Sequence, residues 1–301
     1  MRRILVLALL LVILGGTLAA GACRGGPSKA AIDAARIEQV RGNLYMITGS
    51  GLENPSTFSG GNVGVFVTEN GVVIVDTKVP GYGQVILDRI KTVTDKPVTM
   101  IINTHTHDDH TGSNAMFPAS VDIVAHENTK ANMAKMTLFK GDGEKHLPKR
   151  TYTDTMTIGS GKDRIDLYYF GRAHTNGDTW IVFPALRVMH TGDMFAWKDA
   201  PYLDLENGGS GLEYAKTVGR ALDTVKDVDT LVVGHSPLRT VPELREYQQF
   251  MIDFVAAVQA AKTAGKSVKD ATREIDLSSK YQGYKKDLYG DAVQAIYSEL
   301  K

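Results

Sequence analysis

The fold class this sequence predicts is α+β, with two sheets packed face to face and helices outside. Three observations point to it. Short β-branched and apolar runs fill the first part of the chain, helical spacing then takes over, and strands followed by helices recur toward the C-terminus. Segments 63–68 and 72–76 meet at Glu69-Asn70-Gly71, a strong hairpin signal. The composition suits a packed core, since 43% of the 301 residues are hydrophobic and 23% charged, with 30 glycines and 10 prolines.

In chain order, the opening residues read as a leader. Arg2 and Arg3 precede an apolar run over 4–14, and small residues ending Ala20-Gly21-Ala22 follow, so 1–22 is expected to be an export signal peptide. The apolar run falls well short of the roughly 20 residues that span a bilayer. Cys23, the single cysteine, directly follows the small residues and resembles the lipidated cysteine of a bacterial lipoprotein. Plain cleavage at the A-x-A site would instead leave a free terminal thiol. The expected location is the bacterial periplasm or cell envelope, with a membrane tie only through a lipid on Cys23. Residues 23–35, beginning RGGPSK after Cys23, are expected to be a tether. One domain over 36–301 follows, with a helical extension from about 241.

Within that domain, 44–48 reads as a strand ahead of the hairpin. Val85, Ile86, Ile90 and Val93 then recur at helical spacing before Pro97 and the apolar run 98–103, giving strand, helix, strand. Segment 122–125 is a further strand and 128–140 a helix. Segments 164–170, 179–183 and 187–190 are consecutive strands, the last two turning at Pro184-Ala185. A helix over 211–225, a buried strand over 230–233 and helix from Val241 almost to the end complete the reading.

Without the leader's two arginines, 32 basic residues oppose 34 acidic ones. Phosphate neutralisation calls for a basic excess, so a small-molecule substrate is expected and nucleic acid is not. The oligomeric state is left open.

The chemistry concentrates in N-T-H-T-H-D-D-H-T-G at 103–112, directly after a predicted buried strand. Residues two apart in an extended segment point the same way, so His105 and His107 can face one metal. A turn over Asp108-Asp109 lets Asp109 and His110 address a second. His174 lies in the Gly-rich turn GRAHTNGD, Asp193 in H-T-G-D at a strand end, and His235 in V-V-G-H-S-P at the last buried strand. Five of the eight histidines, His105, His107, His110, His174 and His235, are the candidate ligands in these runs, and imidazole suits zinc. The others read as structural: His126 as a packing or capping residue at a helix start, His146 in a polar loop, His190 along a strand. Asp108 is expected to be solvated, and Asp178 to fix the His174 loop. Asp76 ends an early strand, where a carboxylate caps turns.

These residues resemble the metallo-β-lactamase superfamily from about Leu44 to His235. The resemblance implies an αββα sandwich of two mixed sheets and two zinc ions per chain. His105, His107 and His174 would hold the first zinc and Asp109, His110 and His235 the second, with Asp193 bridging. Asp76 would support the metal loop by hydrogen bonding. Paired zinc ions lower the pKa of a shared hydroxide towards neutrality. The chain would thus be a zinc-dependent hydrolase attacking a carbonyl or phosphoryl centre, in an ester, thioester, lactone or amide/lactam. Asp109 would orient the water or accept its proton. This is consistent with a single, terminal cysteine and no G-x-S-x-G elbow.

Lactam-hydrolysing members commonly carry Cys or Ser at the Asp193 position. One group adds a lysine three residues later, where this chain has Ala196, with Lys198 nearby but shifted. Thr106 stands where an aromatic residue is common and Ser236 where glycine is. The stretch 194–210 with the helical tail looks similar to exported bacterial metallo-hydrolases of unassigned substrate. Phe58, in a Gly/Ser-rich loop over 50–62 that reads equally as a flap or a plain hairpin tip, joins Trp197, Lys198 and Tyr202 as candidate substrate contacts. Two other classes stand beside the hydrolase: an iron-dependent sulfur oxidoreductase on the same scaffold and a non-catalytic envelope metal-binding protein.

Overall fold

The computed structural model describes residues 26–50 and 55–301; the leader, Cys23 and part of the 50–62 loop lie outside them. A seven-stranded sheet takes its strands in sequence order: β1 (Ile37–Arg41), β2 (Leu44–Ile47), β3 (Val63–Thr68), β4 (Gly71–Val75), β5 (Val98–Ile102), β6 (Asp122–His126) and β7 (Arg150–Tyr152). Its first four strands are antiparallel and its last four parallel. The second sheet runs in the order β13 (Arg239–Thr240), β12 (Thr230–Val232), β11 (Val188–His190), β10 (Trp180–Phe183), β9 (Ile165–Tyr168), β8 (Thr155–Ile158). Only β11 and β12 pair in parallel there. Both sheets are therefore mixed.

Alternation builds the layers. In β4, Val73 and Val75 face the second sheet while Val72 and Ile74 pack under α2 (Gly83–Lys91). In β10, Ile181 and Phe183 face the first sheet, and Trp180 and Val182 meet the helices on the other side. A strand covered on both faces reads as an unbroken apolar run, as GVVIV and WIVF do. The outer layer on the second sheet consists of α5 (Gly211–Thr224), α6 (Val241–Thr263), α7 (Val268–Glu274) and α8 (Tyr289–Glu299). Among the described residues no helix is long and apolar enough to cross a membrane.

Several expectations need correction. The tether does not reach residue 35, because α1 (Lys29–Ala34) forms there, capped by Ser28, with Ala31 and Ala35 buried against the first sheet. The helix expected over 128–140 is α4 (Glu127–Met133); the chain turns extended at Met136 before a 3-10 turn at Thr137–Phe139. The C-terminal helix is broken at Gly265, whose φ of 73° lies in the left-handed region. β1, β7 and β8 escaped the reading because these edge or half-covered strands mix exposed and partly buried positions.

The two sheets are glued by side chains such as Phe66, fully buried and edge-on to Phe183 at 5.0 Å between centroids. Phe66→Ala should lower the free energy of unfolding by about 3–5 kcal/mol in chemical denaturation. A loss below about 1 kcal/mol would mean that the sheets do not depend on this contact.

Candidate metal centre

All the chemistry-bearing residues follow the C-terminal ends of parallel strands, or the turn beyond β9. Asp76 follows β4, His105 and His107 follow β5, and Asp109 and His110 lie in the short helix α3 (Asp108–Thr111). His174 lies beyond β9, Asp193 in the turn Gly192–Phe195 after β11, and His235 after β12. Parallel strands present their C-terminal ends, and the loops beyond them, on one side of a sheet. Here both sheets contribute to one rim.

Two groups of ligand-type atoms result. His107 Nδ1 lies 3.1 Å from His105 Nε2 and 3.0 Å from His174 Nε2. Nearby, His110 Nε2 and His235 Nε2 stand 3.2 Å apart, with Asp109 Oδ2 3.6 Å and 3.1 Å from them. Asp193 lies between the groups, 3.2 Å from His110, 3.3 Å from His235 and 3.8 Å from His174. The sequence-predicted ligands are thus gathered into adjoining groups that could hold metal ions: His105, His107 and His174 on one side, Asp109, His110 and His235 on the other, and His105, His110 and Asp193 between them.

The outer nitrogen of every ring is fixed. His107 Nε2 meets Asp204 Oδ2 at 2.7 Å, His174 Nδ1 the carbonyl of Tyr202 at 2.8 Å, and His235 Nδ1 the carbonyl of Ser50 at 3.0 Å. His110 Nδ1 meets Asp76 Oδ2 at 2.7 Å, and His105 Nδ1 the hydroxyl of Thr104 at 2.9 Å, a hydroxyl that donates to Asp76. An oxygen acceptor takes the N–H of a neutral imidazole and leaves a lone pair on the other nitrogen. Lone pairs would then face one another at about 3 Å unless positive charge lies between them. Asp193 Oδ1, buried with no hydrogen-bond partner among the described residues, adds an uncompensated acceptor. The donor set fits divalent zinc, for which imidazole and carboxylate are apt ligands.

Electrostatics say the same. Burial disfavours charge on His235, yet Asp193 and Asp109 outweigh it and raise its pKa to about 10. Burial alone would raise the Asp109 carboxyl, but His110 and His235 bring it to about 2. The cluster calls for cations, which protons supply only in competition with a metal.

Glycines let the loops close. A Cβ on Gly234 would fall 1.9 Å from Asp193 Oδ1, and one on Gly61 2.2 Å from His110 Cε1. Asp204, Thr104 and Lys78 escaped the sequence reading. Asp204 lies 97 residues from His107, with no local pattern to announce it. Lys78, fully buried, donates to the carbonyls of Thr48 and Gly61, both at 2.9 Å, and so closes the base of the 50–62 loop. His126 caps α4 through Nδ1, Asp178 accepts from Thr175, and Asp108 is exposed.

Of the candidate substrate contacts, Phe58 lies 6.4 Å from His235 in a stacked orientation, Trp197 5.3 Å from His235, and Tyr202 5.8 Å from His107. Lys198 lines the adjoining cavity, but its ammonium is engaged by Glu243 and Glu246.

Residues 56–235 match the profile of the metallo-β-lactamase superfamily. The chain belongs to this superfamily. It is 26% identical over 229 residues to the metallo-β-lactamase type 2 of Elizabethkingia meningoseptica, covering 71% of this chain and 86% of that protein. The solved metallo-β-lactamase from Pontibacter korlensis superposes with a TM-score of 0.62 at 19% identity, over 72% of this chain and 98% of that one. A sec-alkyl sulfatase superposes with a TM-score of 0.71 at 13% identity, over 90% of this chain and 51% of that one. That extent takes in part of the C-terminal helices, which lie beyond the profile.

Second-sphere carboxylates typically account for a 10–100-fold effect on metal affinity. Asp204→Ala should therefore weaken metal binding at the His105, His107 and His174 group by about 10–100-fold in a chelator competition titration, with the far-UV circular dichroism retained. Unchanged affinity would show that His107 needs no such anchor.

Proposed function

We propose that the protein is a dinuclear zinc hydrolase acting on a carbonyl or phosphoryl centre of a small-molecule substrate. The observation that carries this reading is the pair of adjoining three-ligand groups with Asp193 between them. His105, His107 and His174 would hold one ion and Asp109, His110 and His235 the other. Two divalent ions held there would polarise a carbonyl or phosphoryl oxygen and make water acidic enough to supply hydroxide near neutral pH.

The chain's own groups complete the arrangement. Asp109 is ionised at neutral pH, and its side chain is 18% exposed, the most accessible carboxylate in the two groups. It is placed to accept a hydrogen bond from the attacking water and so to orient it. Phe58, Trp197 and Tyr202 offer aromatic surface around the groups and leave room for an organic substrate. Ionised Asp193, held well below the usual carboxylate range by His235 and His110 against the effect of burial, supplies the charge shared by both groups.

The test is a panel of ester, thioester, lactone, β-lactam and phosphodiester substrates, with bound metal measured in parallel. The purified protein should carry about two zinc ions per chain and hydrolyse at least one class. Asp109→Asn should lower that turnover by about 10²-fold or more, since a ligand and a water-orienting carboxylate are lost together. Full activity in the zinc-loaded variant would contradict the role of Asp109. A single tightly held iron with a redox-active spectrum would replace the hydrolase reading altogether.

A further inference from the structure

A cavity of about 630 Å³ opens beside His235 and runs between residues 197–199 and the segment that precedes α8. Its size falls within the roughly 300–1,000 Å³ of pockets that take drug-sized molecules. Trp197, its ring centroid 5.3 Å from that of His235, lines it with Pro237, Leu288, Lys198 and Arg239. The charged heads are already matched: Lys198 lies 3.6 Å from Glu243 and 3.3 Å from Glu246, and Arg239 lies 3.2 Å from Glu243. Trp197, Pro237 and Leu288 thus give the cavity an aromatic and apolar share of its wall, beside the polar side chains of Ser236, Gln282 and Lys285.

Its far wall belongs to the C-terminal extension, which Tyr281 and Tyr284 anchor on Phe250, and hydrogen bonds tie it across to residues 198–199. The Lys285 N–H donates to the Lys198 carbonyl at 2.9 Å. Asp199 Oδ2 accepts from the N–H groups of Asp287, at 2.9 Å, and Leu288, at 3.4 Å, while its Oδ1 accepts from Ala200. Asp199 is 2% exposed, so these bonds are made away from competing water. One buried carboxylate thus joins the segment that carries Trp197 to the segment that faces it.

We infer that this cavity is a subsite for an aromatic, apolar part of the substrate, and that Asp199 is the positioning residue that sets its width. The inference rests on the hydrolase reading and names the substrate class, an ester-type compound bearing an aryl group. Flat rings stack favourably on an indole. Any gain in binding remote from the reacting bond that is present equally in ground and transition states appears in KM.

The experiment compares 4-nitrophenyl acetate with 4-nitrophenyl 2-naphthylacetate on the zinc-loaded protein and on Asp199→Ala, Asp199→Asn and Leu288→Ala. In parallel, 2-naphthylacetamide is titrated while tryptophan fluorescence is followed. Trp180, the other of the two tryptophans, is fully buried in the core, so quenching reports on Trp197. In the parent protein KM for the naphthyl ester should be about tenfold or more below that for the acetate. Asp199→Ala should raise the naphthyl KM by about tenfold with little change in kcat, and Asp199→Asn, which keeps one of the two accepting oxygens, should restore part of it. Leu288→Ala should shift the naphthyl KM in the same direction should Asp199→Ala fail to fold. A ratio of the two KM values that is the same in all forms would overturn the inference. Should neither ester be turned over, the hydrolase reading is still decided by the wider substrate panel, and the titration decides the subsite. Saturable quenching weakened by Asp199→Ala supports it, and absence of quenching overturns it.

Discussion

The carboxylate of Asp76 is buried at the end of β4 on a residue whose φ of 67° lies in the left-handed region, a conformation that costs free energy for a side chain of this kind. Its Oδ1 accepts the Thr104 N–H at 2.8 Å, while its Oδ2 accepts the Thr104 hydroxyl and the His110 ring, both at 2.7 Å. Through Thr104 it also settles His105. One strand end thus orients a ring in each of the two ligand groups. The strain at Asp76 is offset by these three bonds.

From this constraint the rest of the rim follows. Rings whose outer nitrogens are held by oxygen must direct lone pairs inward, and the inward space is narrow because glycines at 61 and 234 let the backbone come close. The two sheets place the ligands, since the first supplies His105, His107, Asp109 and His110, and the second supplies Asp193 and His235. Inter-sheet packing, in which Phe66 meets Phe183, therefore sets how the ligand groups face each other. Core and site share one geometry.

Much of this was legible in the sequence because the ligands are local or end apolar runs. The H-x-H-x-D-H stretch keeps four residues within six positions, and strands such as GVVIV and WIVF announce burial on both faces by having no polar alternation. What remained hidden depends on distance. Asp204 reaches His107 across 97 residues, and the carbonyls of Ser50 and Tyr202 hold their rings by backbone atoms that carry no residue signature. Lys78 reads as a surface lysine until the fold closes three loop oxygens around it. Edge strands β1, β7 and β8 were missed for a related reason, since half-covered strands need few apolar residues.

The central claim is that the outer nitrogens hold the protons and the inner nitrogens the lone pairs. Long-range proton–nitrogen correlation spectra of the zinc-loaded protein, labelled with ¹⁵N in its imidazoles, read this directly. The arrangement predicts that His107 carries its proton on Nε2, opposite Asp204, while His105, His110, His174 and His235 carry theirs on Nδ1. A proton on Nδ1 of His107, or on Nε2 of any of the other four, would contradict the account.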